Sequence, residues 1–188
     1  MGIVGWVVLA AIVLLLVLVI SIYNRLVRLR ALVKEAFSGI TVQLRRRADL
    51  VPNLVSTVQG YAAHERETLD AVTAQRTAAT SAGSVAATAQ ADAAMTAMLG
   101  RLIAVAEAYP DLKADANFRE LQTELSGLET ELQSARRYYN ATARDLNTRV
   151  VSFPDMFFAG PMGFKEEPYY EDADASIQTA PKVEFSRS

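Results

Sequence analysis

The first charged side chain in this sequence is Arg25, and from Ile3 to Ile20 every residue is apolar or glycine. Few structures accept such a run. About 22 residues of helix span roughly 33 Å, close to the hydrocarbon thickness of a bilayer. In lipid the backbone must satisfy its own hydrogen bonds, which a helix does. A secretory signal peptide is the rival reading. It needs a basic segment before the apolar core and a small-x-small cleavage site after it. Nothing basic precedes this core, and "SIYN" follows it, so residues 1–22 read as a retained anchor. Position 6 is Trp, which removes Gly2 as the start of a myristoylation motif.

The flanking charge predicts an orientation. Arg25, Arg28, Arg30 and Lys34 lie just beyond the apolar run. The positive-inside rule keeps that side in the cytoplasm and puts the N-terminus outside. These four are expected at the membrane surface, where each cation near anionic lipid contributes about 1 kcal/mol. Arg45, Arg46 and Arg47 are a different case. They lie over 20 residues past the anchor, roughly 35 Å up a straight helix, beyond a screening length of about 8 Å. They read as a solvated face, with Arg46 pairing with Asp49 or Glu65.

Beyond the anchor no stretch alternates with a period of two; helical spacing dominates. The first helix is expected to continue to about Arg47, with Val33, Phe37, Ile40 and Leu44 as its stripe. Asp49 then reads as an N-cap with Pro52 in the first turn of a second helix. Leu54, Val58, Tyr61, Leu69 and Val72 form that helix's buried face, and it fades out at "TSAGS". A third helix is expected from Val85 to Tyr109. Its Ala/Thr-rich first half buries little area, and its second half packs through Met95, Met98, Leu99, Leu102, Ile103 and Val105. Pro110 breaks the chain. The fourth helix has the clearest rhythm, at Phe118, Leu121, Leu125, Leu128, Leu132, Ala135, Tyr139 and Leu146, the seam of a bundle or coiled coil. The expected fold class is all-α: an N-terminal transmembrane helix continuing into an antiparallel up-down four-helix bundle over residues 23–150.

Several segments together resemble the bacterial LemA family. They are "YNRLVRLR" straight after a single anchor, "VQLRRRADLVPNLVSTVQGYAAHERETL", "YYNATARDLN", "SFP…GFKEEPYYE" and "PKVEF". The resemblance covers nearly the whole chain. It implies a membrane-anchored, up-down four-helix bundle without established enzymatic activity. Relatives that include a protein of magnetosome membranes imply roles in membrane organisation. The implied location is the bacterial inner membrane, or an internal membrane derived from it; the flanking charge puts the domain on the cytoplasmic side.

Candidate chemistry is sparse. With no cysteine and one histidine, disulfides, thiolate sites and His-rich metal centres are excluded. His64 lacks both the Glu-x-x-His pair of a di-iron bundle and the His-Glu-x-x-His of a zincin. His64, Glu65 and Arg46 are instead expected at polar contacts between helices. Asn24, Asn53 and Asn140 either fix helix register or serve as caps and surface residues. Glu166, Glu167, Glu171, Asp172 and Asp174 lack EF-hand spacing, so residues 171–188 read as an acidic, mostly flexible tail. "PKVEF" within it suggests a short docking peptide. No catalytic residue, metal or cofactor is expected, and neither charge block is large enough for nucleic acid.

The aromatic stretch "VSFPDMFFAGPMGF", residues 151–164, is kept compact and non-helical by its prolines and glycines. In an up-down bundle the fourth helix ends at the pole where the first begins. Residues 151–170 are therefore expected beside the bilayer, with Phe157, Phe158 and Met162 at its surface, and Phe153, Met156 and Phe164 with them entering the interface or packing on the emerging helix; the alternative is a plug for the open end of the bundle. The function expected is a non-enzymatic membrane scaffold. Its partners are the lipid bilayer, further copies of itself in a homo-oligomer, and another membrane protein. A membrane-shaping assembly is the alternative, and an enzyme a remote one.

Overall fold

The computed structural model of the chain describes residues 2–62, 65–81 and 83–170. Among the described residues the fold is all-helical, with no strand. Helix α1 runs from Ile3 to Tyr61, α2 from Arg66 to Ser81 and α3 from Val85 to Glu107. A short α4, Pro110–Ala114, precedes the long α5, Ala116–Val151, and a single turn, α6, spans Met156–Ala159.

Helix α1 has two regimes. Up to Leu18 its side chains are exposed, and the segment is long and apolar enough to cross a membrane. From Ile22 onward a three-four rhythm takes over. Ile22, Leu26, Val33, Ala36, Ile40, Leu44, Arg47, Val51, Leu54 and Val58 are buried, and no break separates the two regimes.

The expected boundary at Asp49 is overturned, because α1 passes straight through Pro52. A proline inside a helix removes one N–H and leaves the carbonyl four residues earlier without its donor. Here that carbonyl belongs to Ala48. It accepts a hydrogen bond from Arg76 Nε of α2 at 3.0 Å. The neighbouring helix supplies the lost donor, and α1 continues to Tyr61, where the Ala62 N–H closes on Val58 O. The buried face assigned to one helix is therefore split. Leu54 and Val58 belong to α1, Leu69 and Val72 to α2, and Tyr61 is exposed.

Helix α3 buries Thr88, Asp92, Met95, Leu99, Leu102 and Ala106, again at three-four steps, after an N-cap in which Ser84 accepts from the Ala87 N–H. It stops short of Pro110, which restrains the preceding Tyr109 to an extended conformation. Asp115 caps α5 by accepting from the Phe118 N–H at 2.9 Å. Along α5, Phe118, Leu125, Leu132, Tyr139 and Leu146 are buried at intervals of seven, while Leu121, Leu128 and Ala135 are half-buried.

Contacts between α1 and α5 run in opposite senses. Tyr61 meets Asp115, Arg46 meets Glu131 and Phe37 meets Tyr139. The α2–α3 pair lies along the part of α1 far from its apolar end. Two cores result. The far one joins Val51–Val58 of α1 and the following Ala62 to α2, α3, α4 and the start of α5. The near one joins Ile22–Leu44 of α1 to Leu132–Leu146 of α5, α6, Phe164 and Tyr170. Residues 151–164 are not wholly non-helical as expected, since α6 forms one turn between the two prolines. The chain then reverses at Gly163, whose φ of +76° suits a residue without a side chain, and climbs α5 as an extended strap, residues 164–170.

Candidate functional site

The most concentrated chemistry lies where α1, α3, α5 and the strap meet. Asp92 of α3 is 1% exposed. Its Oδ1 accepts from Arg47 of α1 at 3.2 Å, its Oδ2 accepts from Tyr170 Oη of the strap at 2.8 Å, and Arg136 of α5 also donates to Oδ2. Glu129 of α5 bridges the two arginines, at 3.3 Å from Arg47 and 3.6 Å from Arg136. Arg47 further donates to Thr96 Oγ1 at 3.0 Å. The two guanidinium groups and two carboxylates balance. Isolated buried charges are expensive, and this arrangement holds them only because each charge faces an opposite one.

The strap is fastened by side chains. Asn140 Nδ2 donates to Tyr170 O at 3.0 Å, and the Tyr170 N–H donates back to Asn140 Oδ1 at 2.7 Å. One heptad further on, Asn147 makes the same pair with Glu167, at 2.9 and 2.7 Å. Tyr139 Oη donates to Pro168 O at 2.8 Å. An extended segment has no internal hydrogen bonds, so the helix beside it must supply them. Burial, with the Asp92 carboxylate beside it, pushes the Tyr170 phenol well above the ordinary tyrosine range. Burial, and to a lesser degree Glu167, raises Tyr139 to about 12. Both therefore stay neutral donors at physiological pH.

The near end holds the surface residues expected from the sequence. Arg25, Arg28 and Lys34 are exposed; Arg30 lies over the Phe164 ring at 4.6 Å. Phe157 is exposed. Phe158 and Met162 are half-buried and pack on the near core. Phe153 and Met156, expected at the same interface, are exposed like Phe157, and so is Val151, which carried no expected role.

The expected polar contacts are spread out. Arg46 pairs with Glu131 at 3.7 Å on the surface, rather than with Asp49 or Glu65. Asn140 holds the strap, not a second helix. Asn24 and Asn53 are exposed, Glu65 contributes its carbonyl to the Leu69 N–H at the start of α2, and His64 lies outside the described residues. The acidic stretch divides in the same way. Glu166 and Glu167 belong to the strap, whereas Glu171, Asp172, Asp174 and "PKVEF" lie outside the described residues.

Arg47 is a correction. It was expected on a solvated face and is 7% exposed. Its position in the heptad Leu26, Val33, Ile40, 47, Leu54 carried that information. Asp92 had a weaker signal: it is the only charge in "VAATAQADAAMTAMLG".

A groove of about 720 Å³ opens between α3 and α5 beside this cluster, lined in part by Leu99, Gly100, Ile103 and Leu125. The ionisable residues along it are Arg47 and Glu129, which face each other. Among the described residues no group of three or more His, Asp or Glu side chains is placed to hold a metal ion.

The sequence profile of the LemA family matches residues 36–185. Magnetosome protein MamQ 2 of Paramagnetospirillum magneticum is 26% identical over an alignment of 179 residues, covering 81% of this chain and 66% of that protein. Magnetosome protein MamQ of Magnetospirillum gryphiswaldense matches at the same identity and coverage. Protein LemA of Metamycoplasma hominis is 28% identical over 131 residues, 69% of this chain and 60% of its own. The chain thus spans a little under two thirds of the length of these relatives.

Proposed function

This chain belongs to the LemA family, and we propose that it is a single-pass membrane scaffold without catalytic activity of its own. The apolar part of α1 anchors it in a bacterial inner membrane, or an internal membrane derived from it. Residues 23–150 form an antiparallel up-down four-helix bundle on the cytoplasmic side. Its outer faces contact further copies or another membrane protein.

One observation carries the reading. The apolar segment and the buried seam are a single unbroken helix, so anchor and bundle share one rigid element. The cations at Arg25, Arg28 and Lys34 support the inward orientation. The paired state of Arg47, Asp92, Glu129 and Arg136 supports a structural role for the buried charges, since none is left poised to act on a substrate.

The test uses the full chain in cells. A reporter that works only in the cytoplasm, fused after Ser188, is expected to be active, and the chain is expected to resist alkaline extraction from membranes. Activity of a reporter that works only outside the cytoplasm would refute the orientation. Release by alkali would refute the anchor. A second reading, an assembly that imposes curvature, is supported by the likeness to magnetosome proteins. Purified chain that tubulates liposomes would favour it over a passive scaffold.

A further inference from the structure

We propose that Val151, Phe153, Met156 and Phe157 form a second bilayer contact, inserting into the interfacial layer of the leaflet from which α1 emerges. This rests on the reading of α1 as a membrane span and adds a site that the span alone does not require.

The position comes first. Tyr23 stacks edge-on against Phe164 with ring centroids 6.0 Å apart, and Ile22, Leu26 and Ala159 share one core. The loop that carries α6 therefore lies level with Ile22 to Arg30, where the apolar run of α1 gives way to charge.

The second observation is a division of side chains. Phe158, Ala159, Met162 and Phe164 face inward and pack on the near core. Phe153, Met156 and Phe157 are left 77%, 49% and 63% exposed. Closing the end of the bundle uses the first group; it gives no reason for the second. Phe153 and Phe157 also stack on each other at 6.0 Å, presenting a joint aromatic surface. Clustered exposed apolar groups mark interaction surfaces, and aromatic rings concentrate at the membrane–water interface.

Charge is the third. The only ionisable residue between 150 and 164 is Asp155. It is 4% exposed and lies 3.7 Å from Arg149, so residues 151–164 present no bare carboxylate to an anionic surface. Arg25 and Arg28 stand exposed at the same level. The tip lies at the level where the exposed apolar run of α1 ends, which makes lipid, rather than a second copy of the chain, the occupant that the surroundings select.

The full chain is tested in vesicles of mixed neutral and anionic lipid, with and without bromine on the acyl chains near the interface. The chain has one tryptophan, so a Trp6→Phe background leaves the optical window clear. Phe157→Trp reports on the tip, Met156→Trp gives an independent reading, and Tyr138→Trp, at an exposed site high on α5, is the control. Bromine quenching severalfold greater at positions 156 and 157 than at 138 is the expected result. Equal quenching at all three, with the chain floating with the vesicles, overturns the tip contact and leaves the anchor standing. Blue-shifted emission at 156 and 157 that ignores bromine also overturns it, because the tip is then buried against protein. Chain that fails to float with vesicles sinks the reading of α1 on which the proposal rests.

Discussion

The near and far halves of this molecule share the α1–α5 pair but close it by different means. In the far half the third and fourth walls are α2 and α3, and the core is mostly aliphatic, with Leu54, Val58, Val72, Met95, Leu99 and Leu102 beside the single buried ring of Phe118. In the near half an extended strap replaces a helix, and the core turns aromatic, with Tyr139 and Tyr170 edge-on at 6.4 Å. Length explains the change. The 16 residues of α2 reach about 24 Å, while the 36 residues of α5 reach about 54 Å. The remainder of α5 is covered by chain that returns without forming a helix. A helix brings its own hydrogen bonds; a strap borrows them. Five side-chain bonds, from Asn140, Asn147 and Tyr139, do this here, and the strap's own Tyr170 hydroxyl adds one to Asp92.

Asp92 joins the two halves, so its loss should be the largest single effect. Asp92→Ala leaves the Arg47 and Arg136 guanidinium groups with Glu129 as the one carboxylate bridging them. Removing one member of a buried pair typically costs about 3–5 kcal/mol. Denaturant unfolding of the full chain in detergent, followed by hydrogen exchange, should show both halves loosening together. Loosening confined to one half would mean that the joint lies elsewhere.

A pair of leucine truncations sharpens the division. Leu102 and Leu132 are fully buried in the far and near cores. Leu→Ala at such sites costs about 2–5 kcal/mol. Each substitution should raise amide exchange first in its own half. Identical exchange patterns from both would merge the halves into one cooperative unit.

Alkali should separate them more gently. An unfolded tyrosine ionises near pH ~10, whereas Tyr139 and Tyr170 hold their protons above that in the fold. Their contribution is complete below pH ~10 and is lost as pH rises through the folded values, by at most about 1.4 kcal/mol per pH unit for each. Strap exchange should therefore accelerate above pH ~10, before the far core responds. Tyr139→Phe combined with Tyr170→Phe should flatten that slope. Tyr61, raised chiefly by its hydrogen bond to Asp115, has the same sign but lies in open solvent and adds little. An unchanged slope in the double variant would take the strap out of the alkaline response.

What could be read from the sequence follows the same division. Periodicity picked out α5 and the exposed apolar start of α1, because repeating burial writes itself into residue spacing. It misplaced the end of α1, since whether Pro52 stops a helix depends on Arg76, a donor 24 positions away. The LemA resemblance was legible because short motifs such as "YYNATARDLN" carry specific contacts; Tyr139, Asn140 and Asn147 within it hold the strap. The strap itself was not legible. "KEEPYY" has neither helical nor strand period, and its place is set by amides on another element. Arg47 was misread because three consecutive arginines look like one surface, although successive helix positions point about 100° apart.

A helix of 59 residues without a joint is also a lever. From Ile22 to Tyr61 it extends roughly 58 Å. A tilt of about 10° at its apolar end would sweep Tyr61 sideways by roughly 10 Å, with α2 and α4 carried along. Changes in bilayer thickness alter the tilt of a spanning helix. The far pole of the molecule would then serve as a pointer whose position records the local state of the membrane.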